Sequence, residues 1–342
     1  MKKTLLALAV LTAAGSANAS INLYDANGVK VDLSGAVEVQ YRNTYNPFDD
    51  AELRLDDGDL MLNTTVAITD ELNVISGVGF AYENADIVNG KDPQDVNVIN
   101  DELWAGFSST QFGAITFGRQ LLVSDDSGIG KDYELGSEGI DFVQTAGSQV
   151  IKYVYDNGTF YTGASTDLRN SDETITGSNP DGSVIVTKDD NTRIWDARVG
   201  FRTNGLDARV YFYDGDNVGG QDIKGYNLEA EYALGNIGLA ASFGQIEYKT
   251  GSEKTEGNVY QIAADYTMDK TTFALGYNNY DVKSGNDVYA LYANVTQKLH
   301  SNVKVYAEVG HSNADFTIEK EPKVSLTKGA EFGYVAGIEV TF

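Results

Sequence analysis

The chain reads as all-β, a 16-stranded antiparallel transmembrane β-barrel, and three observations predict it. Apolar and polar residues alternate with period two over sixteen segments, the mark of strands with one apolar and one polar face. Connections between the segments alternate between short turns and long polar loops, as in barrels that cross an outer membrane. Tyrosines and a tryptophan gather near segment ends, where a barrel meets the two membrane interfaces. These are Tyr24, Tyr41, Tyr82, Trp104, Tyr153, Tyr226, Tyr232, Tyr260 and Tyr266.

Residues 1–19 are expected to be a cleaved signal peptide, leaving 20–342 as one barrel domain. Lys2 and Lys3 form its positive end, Leu5 to Leu11 its apolar stretch, and Ala17-Asn18-Ala19 the small-residue cleavage site. That apolar stretch is too short to span a bilayer as a helix, which takes about 20 residues, and no later segment reaches that length either. From residue 28 onward the alternation takes over. Val31, Leu33, Gly35, Val37, Val39 and Tyr41 interleave with Lys30, Asp32, Ser34, Ala36, Glu38 and Gln40.

The first half is expected to hold strands near 30–41, 59–68, 72–83, 100–109, 113–119, 147–156, 159–168 and 191–202. The second half adds 205–213, 223–234, 237–248, 257–267, 271–281, 287–297, 302–313 and 330–342. Short turns include Thr69-Asp70, Asn157-Gly158, Thr203-Asn204, Gly235-Asn236 and Asp269-Lys270. Long links are expected near 42–58, 84–99, 120–146, 169–190, 214–222, 249–256 and 314–329.

Alternation alone also suits a soluble sandwich, whose apolar face is buried between two sheets. Sandwiches run near 100 residues, however, whereas a tilted strand needs about 9–11 residues to cross a membrane. The strand 193–202 makes the choice concrete. Trp195, Ala197, Val199 and Phe201 would face lipid, and Ile194, Asp196, Arg198, Gly200 and Arg202 the interior. Turning it over would place Arg198 in hydrocarbon at a cost of about 2–4 kcal/mol. The next strand repeats the pattern, with Leu206, Ala208, Val210 and Phe212 outside and Asp207, Arg209, Tyr211 and Tyr213 inside. Inward charges of this kind require a wet lumen, which sixteen strands accommodate.

Lys+Arg total 25 against Asp+Glu 50, a net charge of −25. Such a chain is a poor match for nucleic acid, which demands clustered cations. Thirty-seven aromatic residues (21 Tyr, 14 Phe, 2 Trp) exclude a disordered chain. With no cysteine there is neither a disulfide framework nor a thiolate metal site, and no cofactor motif appears. Gly128-Ile129-Gly130-Lys131 lacks the spacing and helix of a phosphate loop, and Asp214 to Gly219 lacks the twelfth-position acid of a calcium loop. Both are read as exposed loop tips. His300 is expected in a short turn and His311 near a strand's outer end. Neighbours on a strand point to opposite faces, so His311 and Ser312 cannot readily share a proton.

The opening of the exported chain, Ile21-Asn22-Leu23-Tyr24-Asp25-Ala26-Asn27-Gly28-Val29-Lys30-Val31-Asp32-Leu33-Ser34-Gly35, is similar to that of the general diffusion porins of the Gram-negative outer membrane. These are the OmpF and OmpC type, with vibrio-type members looking closest. Phe117-Gly118-Arg119, entering a long acidic loop, resembles the strand before that family's constriction loop, and the terminal Phe342 matches its assembly signal. The resemblance implies a homotrimer in outer-membrane lipid and lipopolysaccharide. It also implies that each barrel's third long loop folds into the lumen, and that the pore passes small hydrophilic solutes without cofactor or metal.

On that resemblance the constriction loop is 120–146, carrying Asp125, Asp126, Asp132, Glu134, Glu138 and Asp141 against Lys131. The family's Pro-Glu-Phe-Gly-Gly turn is matched in part by Tyr133-Glu134-Leu135-Gly136-Ser137. On the opposite wall, Asp59 and Asp101 stand where arginines are expected, Ala36 replaces a lysine, and a further basic position falls near Ala146. A register error of one residue would flip these side chains. Lys152, Arg198, Arg202 and Arg209 remain as basic wall candidates. A mostly acidic eyelet would prefer cations. Arg119 corresponds to a residue at the subunit contact, facing an acid of the neighbour's second loop, where Glu83, Asp86, Asp92 and Asp95 are available. A substrate-specific channel would need an inward aromatic ladder, for which Tyr211 and Tyr213 are the main candidates. An outer-membrane barrel enzyme would need a catalytic group at the rim, for which only His311 is offered.

Overall fold

The computed structural model describes residues 20–83, 97–136, 144–170, 173–178, 184–188, 192–283, 285, 287–320 and 324–342. The expected signal peptide 1–19 lies outside the described residues, as do Glu138 and Asp141 of the third loop and Asp86, Asp92 and Asp95 of the second.

Sixteen strands form the wall. The first eight are β1 (Val29–Asn43), β2 (Glu52–Ala67), β3 (Leu72–Glu83), β4 (Asn97–Ser109), β5 (Gly113–Leu121), β6 (Ala146–Asp156), β7 (Phe160–Asn170) and β8 (Thr192–Thr203). The second eight are β9 (Leu206–Val218), β10 (Gln221–Leu234), β11 (Ile237–Thr250), β12 (Glu253–Met268), β13 (Thr271–Val282), β14 (Val288–His300), β15 (Val303–Ser312) and β16 (Gly333–Thr341). Each pairs antiparallel with the next, and β16 returns to β1, so the sheet closes on itself. Closure leaves no open edge, the condition for any sheet in a bilayer.

A short strand, Ser20–Ala26, folds back on β1 through Asn27 and Gly28, both at positive φ (55° and 75°), as a two-residue hairpin turn requires. It takes residues 29–34 of one β1 edge while β16 takes 36–43 of the same edge. The two meet at Gly35, which exchanges backbone hydrogen bonds of 2.8 and 3.0 Å with Phe342.

The predicted register holds where it was stated residue by residue. Trp195 and Val199 are 45% and 55% exposed, whereas Ile194 and Asp196 are buried. Phe212 faces out while Tyr211 and Tyr213 are buried inside. The girdle residues Tyr41, Tyr82, Tyr153, Tyr232, Tyr260 and Tyr266 are exposed, but Trp104 is not one of them. It lies on the inner row, its ring against Gly77 and its indole N–H donated to Glu102 (2.6 Å).

The links expected at 214–222 and 249–256 are strand almost throughout, with turns only at Gly219-Gly220 and Gly251-Ser252. Their alternation is disguised because both kinds of residue change partner above the membrane. Outward positions carry charges that pair across strands, Lys224 with Asp214 (2.9 Å), Lys254 with Glu247 (2.8 Å) and Arg193 with Asp216 (2.5 Å). Inward positions carry Val218, Ile223, Ile246 and Val259, buried in one apolar cluster with Leu122 and Val123 of the third loop. Asp214 to Gly219 is therefore strand and turn rather than a loop tip. Two further hairpins, Glu173–Ser178 with Val184–Lys188 and Asp315–Lys320 with Val324–Gly329, rise at the same end.

Inward tyrosines are more numerous than expected. Besides Tyr211 and Tyr213, Tyr161, Tyr292 and Tyr306 occupy the inner row, each of these three lying over an inward glycine of a neighbouring strand. A Cβ at Gly200 would stand 2.0 Å from the Tyr161 ring, and one at Gly276 2.3 Å from Tyr292. The glycines make seats for flat rings, and four of these five tyrosines are at most 3% exposed (Tyr306 is 5%). They brace the wall, and none of the five presents an exposed ring to the lumen.

Candidate functional site

The third long connection begins at Leu122, whose N–H bonds Thr145 O (2.6 Å), and passes through a 3-10 turn at Val123–Asp126. From there to Gly136 it bonds inward-facing side chains of one wall strand after another. Fifteen residues reach about 50 Å at most, enough for such a path. Gly128 to Lys131 is thus no exposed tip: Ile129 is buried against Ala240 and Ala263.

Three buried wall carboxylates carry the path. Asp196 on β8 accepts Ser124 N–H (2.6 Å). Glu229 on β10 accepts Gly128 N–H (2.7 Å) and the Ser127 hydroxyl (3.0 Å). Glu308 on β15 accepts three successive N–H groups, those of Tyr133, Glu134 and Leu135, each at 2.8 Å. Charged acceptors make hydrogen bonds about twice as strong as neutral ones. Neutral groups complete the attachment, with Tyr211 O–H donating to Asp126 O (2.9 Å) and Asn294 to Lys131 O (2.7 Å).

Side chains of the segment reach outward from this backbone. Asp126 pairs with Arg198, whose guanidinium lies over Tyr161 and Tyr211. Lys131 reaches Glu231 (3.2 Å) and Asp265 (3.7 Å). Asp132 turns back to accept Gly136 N–H (3.0 Å); burial raises its pKa above the ordinary aspartate value, and the backbone hydrogen bonds oppose that. The Tyr133 ring stacks on Tyr306 at 3.5 Å and 2°. Glu134 pairs with Arg42 (2.7 Å) and Arg54 (2.5 Å) and accepts from Gln40 (3.1 Å). Asp125 is exposed and accepts from the Thr145 hydroxyl (2.8 Å).

Arg42 and Arg54 were missed by sequence reasoning because 42–58 reads as a link. β1 in fact runs to Asn43, and β2 starts at Glu52. A bulge between Glu38 and Val39, opposite Asp57 and Leu55, breaks the period-two pattern that would have shown the strand.

The predicted wall arginines all lie on the inner row, and all are paired. Arg202 meets Asp156 and Asp207, the latter at 2.9 Å. Arg209 meets Glu231 (2.8 Å) and Glu229, and donates to Gly128 O (3.0 Å). With Lys131 they make a chain of alternating sign, Asp156–Arg202–Asp207–Arg209–Glu231–Lys131–Asp265. Asp59 and Asp101 come together with Asp57 and Glu102 within electrostatic reach. Asp59 stands opposite Ala36. A second bulge, at Val78/Phe80, sets two residues of β4, Asp101 and Glu102, against Gly79. Among the described residues, none of these four acids forms an ion pair with a base. Lys152 is the basic group nearest this arc, its ammonium donating to Leu121 O (3.0 Å).

Arg119 faces outward at the end of β5, exposed, with no ion pair among the described residues. His300 sits in its own turn, its Nδ1 accepting Asn302 N–H (3.2 Å) and lying 3.2 Å from the Ser301 hydroxyl, and His311 lies exposed beside Tyr289; among the described residues neither pairs with a carboxylate.

Residues 4–317 match a family model described as Gram-negative porin. Porin-like protein H of Photobacterium profundum is 48% identical, the alignment covering the whole of both chains. Among solved structures, outer-membrane expressed OmpT of Vibrio cholerae superposes with a TM-score of 0.70 at 18% identity, covering 93% of this chain and 99% of that one. An anion-selective porin from Comamonas acidovorans gives 0.68 at 18% identity, covering 92% and 100%.

Proposed function

The chain belongs to the Gram-negative porin family, a non-enzymatic outer-membrane channel, and we propose that it passes small hydrophilic solutes by passive diffusion with a preference for cations. In this reading the 122–136 segment is the constriction, and the open path lies between it and the arc of wall it leaves unbonded. The observation that supports the preference is the pairing of charges. The arginines Arg42, Arg54, Arg198, Arg202 and Arg209 are each neutralised by a carboxylate, whereas Asp57, Asp59, Asp101 and Glu102 form no ion pair among the described residues, Lys152 acting on Glu102 from beyond ion-pair distance. Low-dielectric walls focus such a field and enrich cations in the gap. A porin of Comamonas acidovorans on the same fold is anion-selective, so architecture alone does not set the sign.

A KCl gradient across a planar bilayer tests this directly. The reversal potential is expected to report cation preference, weaker at 1 M than at 0.1 M salt because the Debye length falls from about 10 to about 3 Å; anion preference would refute the reading. Glu134→Gln is expected to lower the preference by uncovering Arg42 and Arg54. Asp132→Asn should do less, since Asp132 is turned into its own loop.

The subunit arrangement in this reading is a homotrimer. A guanidinium with no ion pair among the described residues is costly on the outward row of a strand, and a neighbouring copy would cover it. Arg119→Ala is expected to lower the temperature at which the trimer dissociates on SDS gels while leaving single-pore conductance unchanged. Elsewhere the outward row above the girdle, with Lys224, Lys249 and Lys254 among its exposed cations, would stand at the level of lipopolysaccharide headgroups.

A further inference from the structure

The tip of the 122–136 segment is tied to the outside of the barrel as well as to its wall. Leu135 is almost fully buried beside Tyr45, Ala290, Tyr292, Tyr306 and Val335. The Tyr45 hydroxyl donates to Leu135 O at 2.6 Å, and the Tyr45 carbonyl accepts Glu331 N–H at 2.9 Å. One residue therefore bonds both the tip and the root of the last outer hairpin. The wall is hollowed to admit the arrangement. A Cβ at Gly310 would stand 2.3 Å from the Tyr45 hydroxyl, and one at Gly333 2.8 Å from the Leu135 side chain.

The hairpin is fastened to the same cluster. Phe316, in its first strand, packs on that cluster with Ala330. Ala330 N–H bonds Ala314 O (2.8 Å) and closes the hairpin's base. Lys328, in its second strand, lies 4.9 Å over the Phe48 ring and donates to Pro47 O (3.4 Å), joining the hairpin to the 44–51 connection that carries Tyr45. Packed cores pass a displacement on rather than absorb it.

We propose that Tyr45 and Phe316 are positioning residues of the constriction, and that the Asp315–Gly329 hairpin is an external handle on the pore. A load applied to the hairpin from outside changes ionic flow without anything entering the lumen. This rests on the reading of 122–136 as the constriction.

The chain contains no cysteine, so Ser325→Cys, at an exposed hairpin position, gives one attachment point. The variant is biotinylated and placed in a planar bilayer, and streptavidin is added on the hairpin side. A severalfold change in closing frequency is expected. It should vanish when Ser325→Cys is combined with Phe316→Ala or with Tyr45→Phe, which keeps the ring and removes only the hydroxyl. The same load at Ser252→Cys, on a hairpin turn without this link, should have no effect. A streptavidin effect of equal size in the linked and unlinked backgrounds would show simple shading of the mouth and overturn the proposal, as would no effect at all. Glu134→Gln separates the two readings: if it leaves conductance and selectivity unchanged, the constriction reading fails; if it changes them, a background-independent streptavidin response condemns the coupling alone.

Discussion

Glu308→Ala is expected to release the tip of the third loop and raise single-channel conductance, with a lower threshold for voltage-driven closure. The carboxylate accepts three consecutive backbone N–H groups at 2.8 Å and is 1% exposed. Each buried donor left without an acceptor costs about 1–3 kcal/mol. Three together are comparable with the ~5–15 kcal/mol that stabilises a whole domain, so local detachment is the cheaper response. The wall itself should survive, because its backbone ladder does not depend on this side chain. Glu308→Gln separates geometry from charge. Its amide retains one acceptor oxygen but turns an NH₂ toward the remaining donors, and an intermediate conductance is expected. Wild-type conductance in Glu308→Ala would mean that Tyr133, Glu134 and Leu135 are held by their side chains alone.

The largest expected change in selectivity comes from Asp59→Arg combined with Asp101→Arg. These acids stand with Asp57 and Glu102, to which the 122–136 segment makes no hydrogen bond or ion pair among the described residues, and replacing both moves the formal local charge by four. The lumen arginines Arg42, Arg54, Arg198, Arg202 and Arg209 are already paired with carboxylates, so they do not offset the change. The reversal potential in a KCl gradient should swing from cation to anion preference, most clearly at low salt. Swapping the partners of the Arg202–Asp207 pair (Arg202→Asp with Asp207→Arg) should have far less effect, since it trades one neutral pair for another. Retained cation preference in the double arginine variant would place the selectivity element elsewhere.

How much of this was legible in the sequence follows from which signal carries each feature. Period two is a local signal, and it placed Asp196, Arg198, Arg202, Arg209, Tyr211 and Tyr213 on the inner row without structural help. Where a bulge interrupts the period, the signal fails. Arg42 and Arg54 were lost with the strand ends around the Glu38/Val39 irregularity, and Trp104 was assigned to the wrong face beyond the one at Val78/Phe80. The partners of the third loop were not legible at all. Glu308 meets Glu134 across 174 residues of sequence and Asp196 meets Ser124 across 72, and nothing local distinguishes these acids from dozens of others. The same limit hid the pairing of the arginines, so the sequence did not show that Asp126 and Glu134 of the acidic loop are already matched by Arg198, Arg42 and Arg54.

The seam at Gly35 has a consequence for biogenesis. One edge of β1 is shared end to end by the Ser20–Ala26 strand and β16, so residues 36–43 have no partner on that side until the last nine residues of the wall arrive. A nascent or truncated chain therefore presents an open strand edge, the kind of surface that recruits another β-strand. The ring cannot close before β16 is in place, and whatever escorts the unfinished barrel to the membrane has a ready template to hold until Phe342 bonds Gly35.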